Sequence, residues 1–223
     1  MDDLSVFKSL WPGGYFEGNP LDPKSPSSYG ALAYIQYPDL GNISVLHATY
    51  LKCIQPYISK DKIALEIGSG RGAWSKCMLG FRELVVIDPV SAEDTGFWEY
   101  VGEHYHVHYI HIDDFSLRSI TDHSIDYVFS FGCLCHVSFD GIQTYAANMF
   151  DKLKPGADCF WMIADRYKFY TSTGKDLIEG GIGGWHDAGL VRTCNMLMTV
   201  GYDIIEPDVG SCLRDPIIHF RKE

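Results

Sequence analysis

The sequence predicts a single α/β domain. Its core is a mostly parallel seven-stranded sheet with an antiparallel last strand, helices on both faces, and an irregular arm ahead of it. Three observations carry this. Apolar runs of strand length alternate with stretches of helical periodicity, the pattern of a parallel sheet covered on both faces. The run at 63–67 feeds into Gly68-Ser69-Gly70-Arg71-Gly72-Ala73, a glycine-rich strand-to-helix turn. Two closing runs, YDII at 202–205 and PIIHF at 216–220, are joined by a ten-residue connection, too short for a crossover helix, so they pair antiparallel.

Residues 1–41 mix turn formers with aromatics, as in WPGGYFEGNPLDPKSPSSYG. They read as an irregular arm with at most short helices. The arm is either an extension packing its aromatics on the core or a lid over a pocket. From Asn42 the pattern turns helical, with Leu46, Tyr50, Cys53 and Ile54 on one face and Pro56 closing the segment. After the strand at 63–67, the glycine turn leads into a short helix ending near Leu79. LVVID at 84–88, VHYIHIDDF at 107–115 and SIDYVFSFG at 124–132 are the next strands. A helix over 140–153 follows from the stripe Ile142, Tyr145, Ala146, Met149, Phe150 and Leu153, with Asp140 as its N-cap and Pro155-Gly156 as its stop. CFWMIAD at 159–165 is a fifth strand. A second helix spans about 187–200, with Gly201 at its C-cap. The main domain is thus 42–223, with 166–186 as a substrate-binding insertion or a plain connector.

Composition limits the function. A net charge of −11 argues against a nucleic-acid partner, which clustered Lys and Arg would bind. The start, MDDLSVFKSLW, lacks the basic and apolar regions of a secretory signal. There is no 18-residue apolar run for a membrane span. Seven scattered cysteines, an odd number mostly within apolar segments, read as reduced thiols of a cytoplasmic protein. Four histidines in HYHVHYIH (104, 106, 108 and 111) suggest a metal, but on a strand His111 points away from the other three, so no metal site is expected there.

The glycine turn alone also satisfies a dinucleotide fingerprint, and Asp88, 20 residues after Gly68, suits a ribose-binding acid in either case. Glu66 decides against the dinucleotide, since an apolar residue normally stands there and a buried carboxylate needs partners. LEIGSGRGAWS resembles the first motif of class I S-adenosylmethionine-dependent methyltransferases, an acid and one apolar residue before GxGxG. VVIDP resembles their second motif, Asp114 with Phe115 their acid after the third strand, and LKPGA at 153–157 the family's LKPGG helix end. The closing hairpin resembles their reversed last strand. The resemblance covers roughly 42–223 and implies a Rossmann-like fold with S-adenosylmethionine as cofactor and S-adenosylhomocysteine as product.

It further implies a cofactor site of Glu66, Gly68, Ser69, Gly70, Gly72, Asp88, Pro89, Asp113, Asp114 and Phe115, with Phe131, Gly132 and Cys133 of FGCLCH lining it. Trp74 reads as core more than as cofactor contact. Ser130-Phe131-Gly132-Cys133 lacks the proline pair of relatives that methylate nucleobase amines, and the metal-binding Asp of metal-dependent O-methyltransferases is missing, so a metal-independent reaction is expected. His136, just past the fourth strand, is either a general base for a hydroxyl or a support for its loop. Asp165 and His186 are further catalytic candidates; Arg166, Tyr167 and Trp185 are substrate candidates, Arg166 as a clamp for an anionic group or as a surface ion pair. Within the family, the aromatic arm with these motifs looks most like methyltransferases acting on sugars or polysaccharides. The expected activity is therefore O-methylation of a small molecule or glycan. Amine N-methylation and a non-catalytic cofactor-binding subunit are the alternatives.

Overall fold

The computed structural model describes residues 17–27, 33–180 and 184–223. Most of the arm's aromatics, and Ile182 of the glycine-rich loop at 180–187, lie outside the described residues. Among the described residues the first strands form a hairpin, β1 (Tyr34–Tyr37) and β2 (Gly41–Ser44). The sequence pattern had not singled it out. Its turn is made by Asp39 and Gly41, both at positive φ (63° and 73°), a conformation Asp and Gly tolerate. Ser44 caps α1 (Val45–Thr49) by accepting from the Leu46 amide. The helical run continues as a π turn and then a 3₁₀ turn, Gln55–Tyr57, containing Pro56.

Seven further strands form one sheet: β3 (Ile63–Ile67), β4 (Glu83–Asp88), β5 (Val107–His111), β6 (Ile125–Ser130), β7 (Leu153–Met162), β8 (Tyr202–Glu206) and β9 (Ile217–Lys222). Their order is β5-β4-β3-β6-β7-β9-β8. The pairs among β3 to β7 are parallel, and β9 runs antiparallel to both β7 and β8. The expected fold class is observed, and the third strand ends at His111, short of 115.

Alternation along the strands builds two cores. Ala64, Tyr127, Phe129, Phe160 and Met162 face one side with Leu46, Trp74 and Phe81. Leu65, Ile67, Val128, Cys159 and Trp161 face the other. That second face is covered by α4 (Phe139–Lys152) and α6 (Leu190–Val200). Between β4 and β5 lie the short helices α2 (Ala92–Thr95) and α3 (Phe97–Val101), and α5 (Arg166–Thr173) follows β7.

Three local readings are corrected. The segment after the glycine turn is a 3₁₀ turn, Ser75–Met78: Gly68, Gly70 and Gly72 all hold positive φ (73°, 51°, 92°), leaving little length for a helix. The cap of α4 is Ser138, whose hydroxyl accepts from the Gly141 amide, and Asp140 sits in the first turn. The same helix stops at Lys152, and Leu153 is already extended (ψ 144°) because it opens β7, Leu153–Met162, paired with Ile125; Pro155 keeps Lys154 out of the helix as well. Gly201 ends α6 in the left-handed region as expected, although that helix starts at Leu190.

Candidate functional site

Strand order reverses direction at β3, with β4 on one side and β6 on the other. In an open α/β sheet this is where the carboxyl ends of the strands leave a crevice. The glycine turn occupies that position. A Cβ on Gly68 would lie 2.2 Å from the Cys133 sulfur, so the turn after β3 and the loop after β6 touch. Asp88, at the end of β4, is buried; it accepts from the Gly70 amide (3.0 Å) and the Val90 amide (2.9 Å). Burial pushes its pKa up to about 6, against the backbone N–H groups of Val90, Gly70 and Ser69 that favour the charge. Each carboxylate oxygen keeps acceptor capacity beyond its backbone bond.

Glu66 lies on the face shared with Trp74 and is buried. The Ser75 hydroxyl donates to it. Its pKa is pushed up to about 8, chiefly by burial; Ser75 lowers it, while the charges of Glu17 and Asp88 raise it. Glu17, from the arm, accepts from the Trp74 indole N–H and is pushed up to about 7 by burial. Trp74 itself is 2% exposed and packs on Phe131 and Phe129 at ring distances of 4.6 and 5.1 Å. Three carboxyl groups thus converge under the turn with raised proton affinity. The chemistry they suit is a ligand with a cationic end and hydroxyl donors.

The remaining cofactor candidates form a neighbouring group. Asp113, Asp114, Ile87 and Leu117 line a cavity of ≈ 160 Å³ beyond β5. Asp114 accepts from the Ser116 amide at 2.8 Å and pairs with Arg118; Ser116 first, then Arg118, hold its pKa down at about 2. Phe115 packs on Tyr145 (4.7 Å) rather than lining that cavity. The Pro89 carbonyl accepts from His111.

After β6, Phe131, Gly132 and Cys133 lead into a 3₁₀ turn, Leu134–His136, in which the His136 amide donates to the Cys133 carbonyl (2.9 Å). His136 is 7% exposed, and its ring lies 4.9 Å from that of Trp185. The His186 amide donates to the Cys135 carbonyl (3.0 Å), so the backbone brings 185–186 onto the loop that carries His136. Burial pushes the Cys133 and Cys135 thiols well above the ordinary range, which makes them packing groups and not nucleophiles. Among the described residues no group of three or more His, Cys, Asp or Glu is arranged to hold a metal. His104, His106 and His111 each bond a different backbone carbonyl.

Asp165 stands apart from His136 in role. One carboxylate oxygen accepts from the Lys168 amide and the other from the Leu190 amide, both at 2.7 Å. It therefore caps α5 and α6 together, a scaffold function. The Arg166 amide donates to Asp187 (3.0 Å), and its half-exposed guanidinium lies 3.9 Å from Glu179 and 4.0 Å from Asp187. Tyr167 is 77% exposed.

The sequence pattern had passed over Glu17, Ser75, Arg214 and Asp215. Because β9 is antiparallel, its first residues return to the edge where the parallel strands end. Arg214 lies 4.3 Å over the Trp185 ring and donates to Asp215 (2.9 Å). Asp215 is fully buried, its other carboxylate oxygen has no hydrogen-bond partner among the described residues, and burial pushes its pKa up to about 6 against Arg214 and Lys168. The signal available in the sequence was the charged pair just ahead of the reversed strand.

Residues 65–161 match the family model described as a methyltransferase domain. No curated protein sequence matches the chain. Among solved structures it is similar to an S-adenosylmethionine-dependent methyltransferase from Mesorhizobium loti (TM-score 0.56, 14% identity, 72% of this chain and 91% of that one). It is also similar to one from Methanosarcina mazei (0.54, 17%, 76% and 96%) and to the N-methyltransferase NodS from Bradyrhizobium japonicum (0.53, 17%, 79% and 93%). At these identities the likeness establishes the shared fold. The family model falls on the segment that carries the glycine turn, Asp88 and His136, so this part of the chain is a methyltransferase domain, with S-adenosylmethionine as its cofactor. No helix among the described residues is long and apolar enough to cross a membrane.

Proposed function

We propose that this enzyme methylates a hydroxyl of a small molecule or glycan without a metal ion, with His136 as the general base. The observation that carries the reading is the placement of His136. It is buried one tight turn from the contact between Gly68 and Cys133, with its ring against Trp185. An imidazole there can accept the hydroxyl proton on a ring nitrogen as the oxygen attacks. Bound S-adenosylmethionine supplies a methyl group activated by positive sulfur. On the protein side, Glu66 complements the cationic end of that ligand, Asp88 accepts from its ribose hydroxyls, and the cavity at Asp113 and Asp114 receives its adenine. Trp185 covers the acceptor and excludes water. We place the enzyme in the cytoplasm, where its seven free cysteines would stay reduced.

The test is a mass-spectrometric screen for methyl gain across sugar, phenol and amine acceptors, run with the wild type and His136→Ala. Hydroxyl acceptors are expected to gain a methyl group, and the variant to lose roughly 10²–10⁴-fold in turnover. Equal turnover by the variant removes His136 as base. Methyl gain on amines alone selects N-methylation, which needs no strong base.

A further inference from the structure

The helix α5 presents two large aromatic side chains to solvent. Tyr167 and Tyr170 stand one turn apart, 77% and 54% exposed, and no residue of the helix is buried. Large aromatics usually hide most of their surface in a core, so this placement calls for a ligand or partner. The helix is held from its other side: the Lys168 ammonium donates to Asp208 (2.6 Å) and to the Gly210 carbonyl (2.7 Å). The two rings are therefore left to face an open cleft of ≈ 420 Å³ lined by Asp165, Arg166, Tyr167, Tyr170, Asp176 and Asp187. That volume falls in the range of about 300–1,000 Å³ typical of small-molecule sites.

The walls are fixed in advance. Asp165 caps two helices, Asp187 accepts from the Arg166 amide, and the Asp187 carbonyl accepts from Arg192 (2.7 Å). The cleft starts at the end of β7, next to the loop where His186 bonds Cys135. A ligand reaching from His136 along this edge would enter it.

We propose that this cleft is a second acceptor subsite, which takes a neutral sugar unit linked to the one methylated beside His136. The inference rests on the hydroxyl-methylating reading above and narrows its substrate class to glycans of at least two rings. Aromatic faces cover the apolar C–H faces of a sugar ring. Asp176 and Asp187 offer acceptors for its hydroxyls, and Arg166 offers donors. Three carboxylates against one guanidinium disfavour a phosphorylated or carboxylated sugar.

The experiment measures acceptor KM and kcat for gluco-, manno- and galacto-oligosaccharides of one to four units, with the wild type and Tyr167→Ala/Tyr170→Ala. KM is expected to fall at least tenfold from one unit to two and to level off beyond, and the double variant to lose that gain. The shift in Tm on adding S-adenosylhomocysteine confirms that the variant is folded. Should it fail to fold, Tyr170→Ser and the wild-type length series carry the test. A wild type with equal KM for one and two units, or a folded variant that keeps the gain, overturns the subsite while leaving O-methylation standing. Methyl gain on no hydroxyl acceptor overturns both proposals.

Discussion

Replacing Glu66 by Gln should remove both a proton and a charge from cofactor binding. With its pKa pushed up to about 8, Glu66 carries about 0.9 proton at pH 7 in the free protein. A ligand presenting a cationic end favours the carboxylate, so binding at pH 7 should release close to one proton into the buffer. Deprotonation at pH 7 costs about 1.4 kcal/mol per unit of pKa above the solution pH, and the charge-assisted contact returns roughly 1.5–3 kcal/mol. Affinity for S-adenosylmethionine should therefore rise up to about tenfold per pH unit between pH 6 and 8 and flatten above. Calorimetry in phosphate and in Tris, which differ in ionisation heat, gives the proton count from the difference in apparent enthalpy. In Glu66→Gln the released proton should fall by about 0.9 and the pH slope should flatten. A variant that releases as many protons as the wild type, with the same pH slope, would refute the role of Glu66.

The same residue sets a stability signature. Its folded pKa lies above the unfolded value of 4.5, so the native state binds more protons across pH 4.5–8 and stability falls as pH rises through that window. The Tm of cofactor-free Glu66→Gln should exceed that of the wild type at pH 8 and approach it at pH 5. Gly68→Ala places a Cβ 2.2 Å from the Cys133 sulfur at a φ of 73°; the expected result is loss of the Tm shift produced by S-adenosylhomocysteine, and an unchanged shift would count against the turn as cradle. Away from the site, Asp158 accepts from His219 (2.9 Å) and Arg221 (2.7 Å) across the β7–β9 pair. Despite the opposing effect of burial, these two partners leave its pKa lowered, so its contribution is present at neutral pH and lost in acid. Asp158→Asn should cost about 2 kcal/mol in urea unfolding at pH 7 and much less at pH 3.

The parts of the fold that were legible in the sequence are those fixed by local pattern. The apolar runs of β3 and β6, the stripe of α4 and the glycine stop of α6 follow from local spacing, while the run at 159–165 located β7 but not its start, since the strand runs Leu153–Met162. The β1–β2 hairpin escaped because its signal is a few turn residues within an arm full of them. The cap of α4 was misplaced by two residues because Ser138 and Asp140 are both good caps, and only geometry selects between them. In the site, Glu66, the glycines and Asp88 announce themselves as polar or flexible residues at the ends of apolar runs. Asp165 announced itself in the same way, yet its two oxygens are taken by backbone amides of α5 and α6. Position at a strand end thus locates an edge of the sheet without telling a reacting group from a capping one.

What local pattern cannot supply is the convergence of distant segments on that edge. Glu17 reaches the glycine turn from 57 residues away through the Trp74 indole, and Arg214 reaches Trp185 because β9 is reversed. Both contacts are set by topology and arm placement, neither of which has a periodic signature. Glu17 changes the meaning of the arm: the charge of this half-buried carboxyl raises the proton affinity of Glu66, after burial of Glu66 itself. An arm that withdrew would let Glu66 ionise more readily, and an arm that stayed over a bound cation would add a second counter-charge. Either way the proton affinity under the glycine turn, and with it the pH dependence of cofactor binding, is set partly by a segment outside the spacing of strands and turns that made the fold readable.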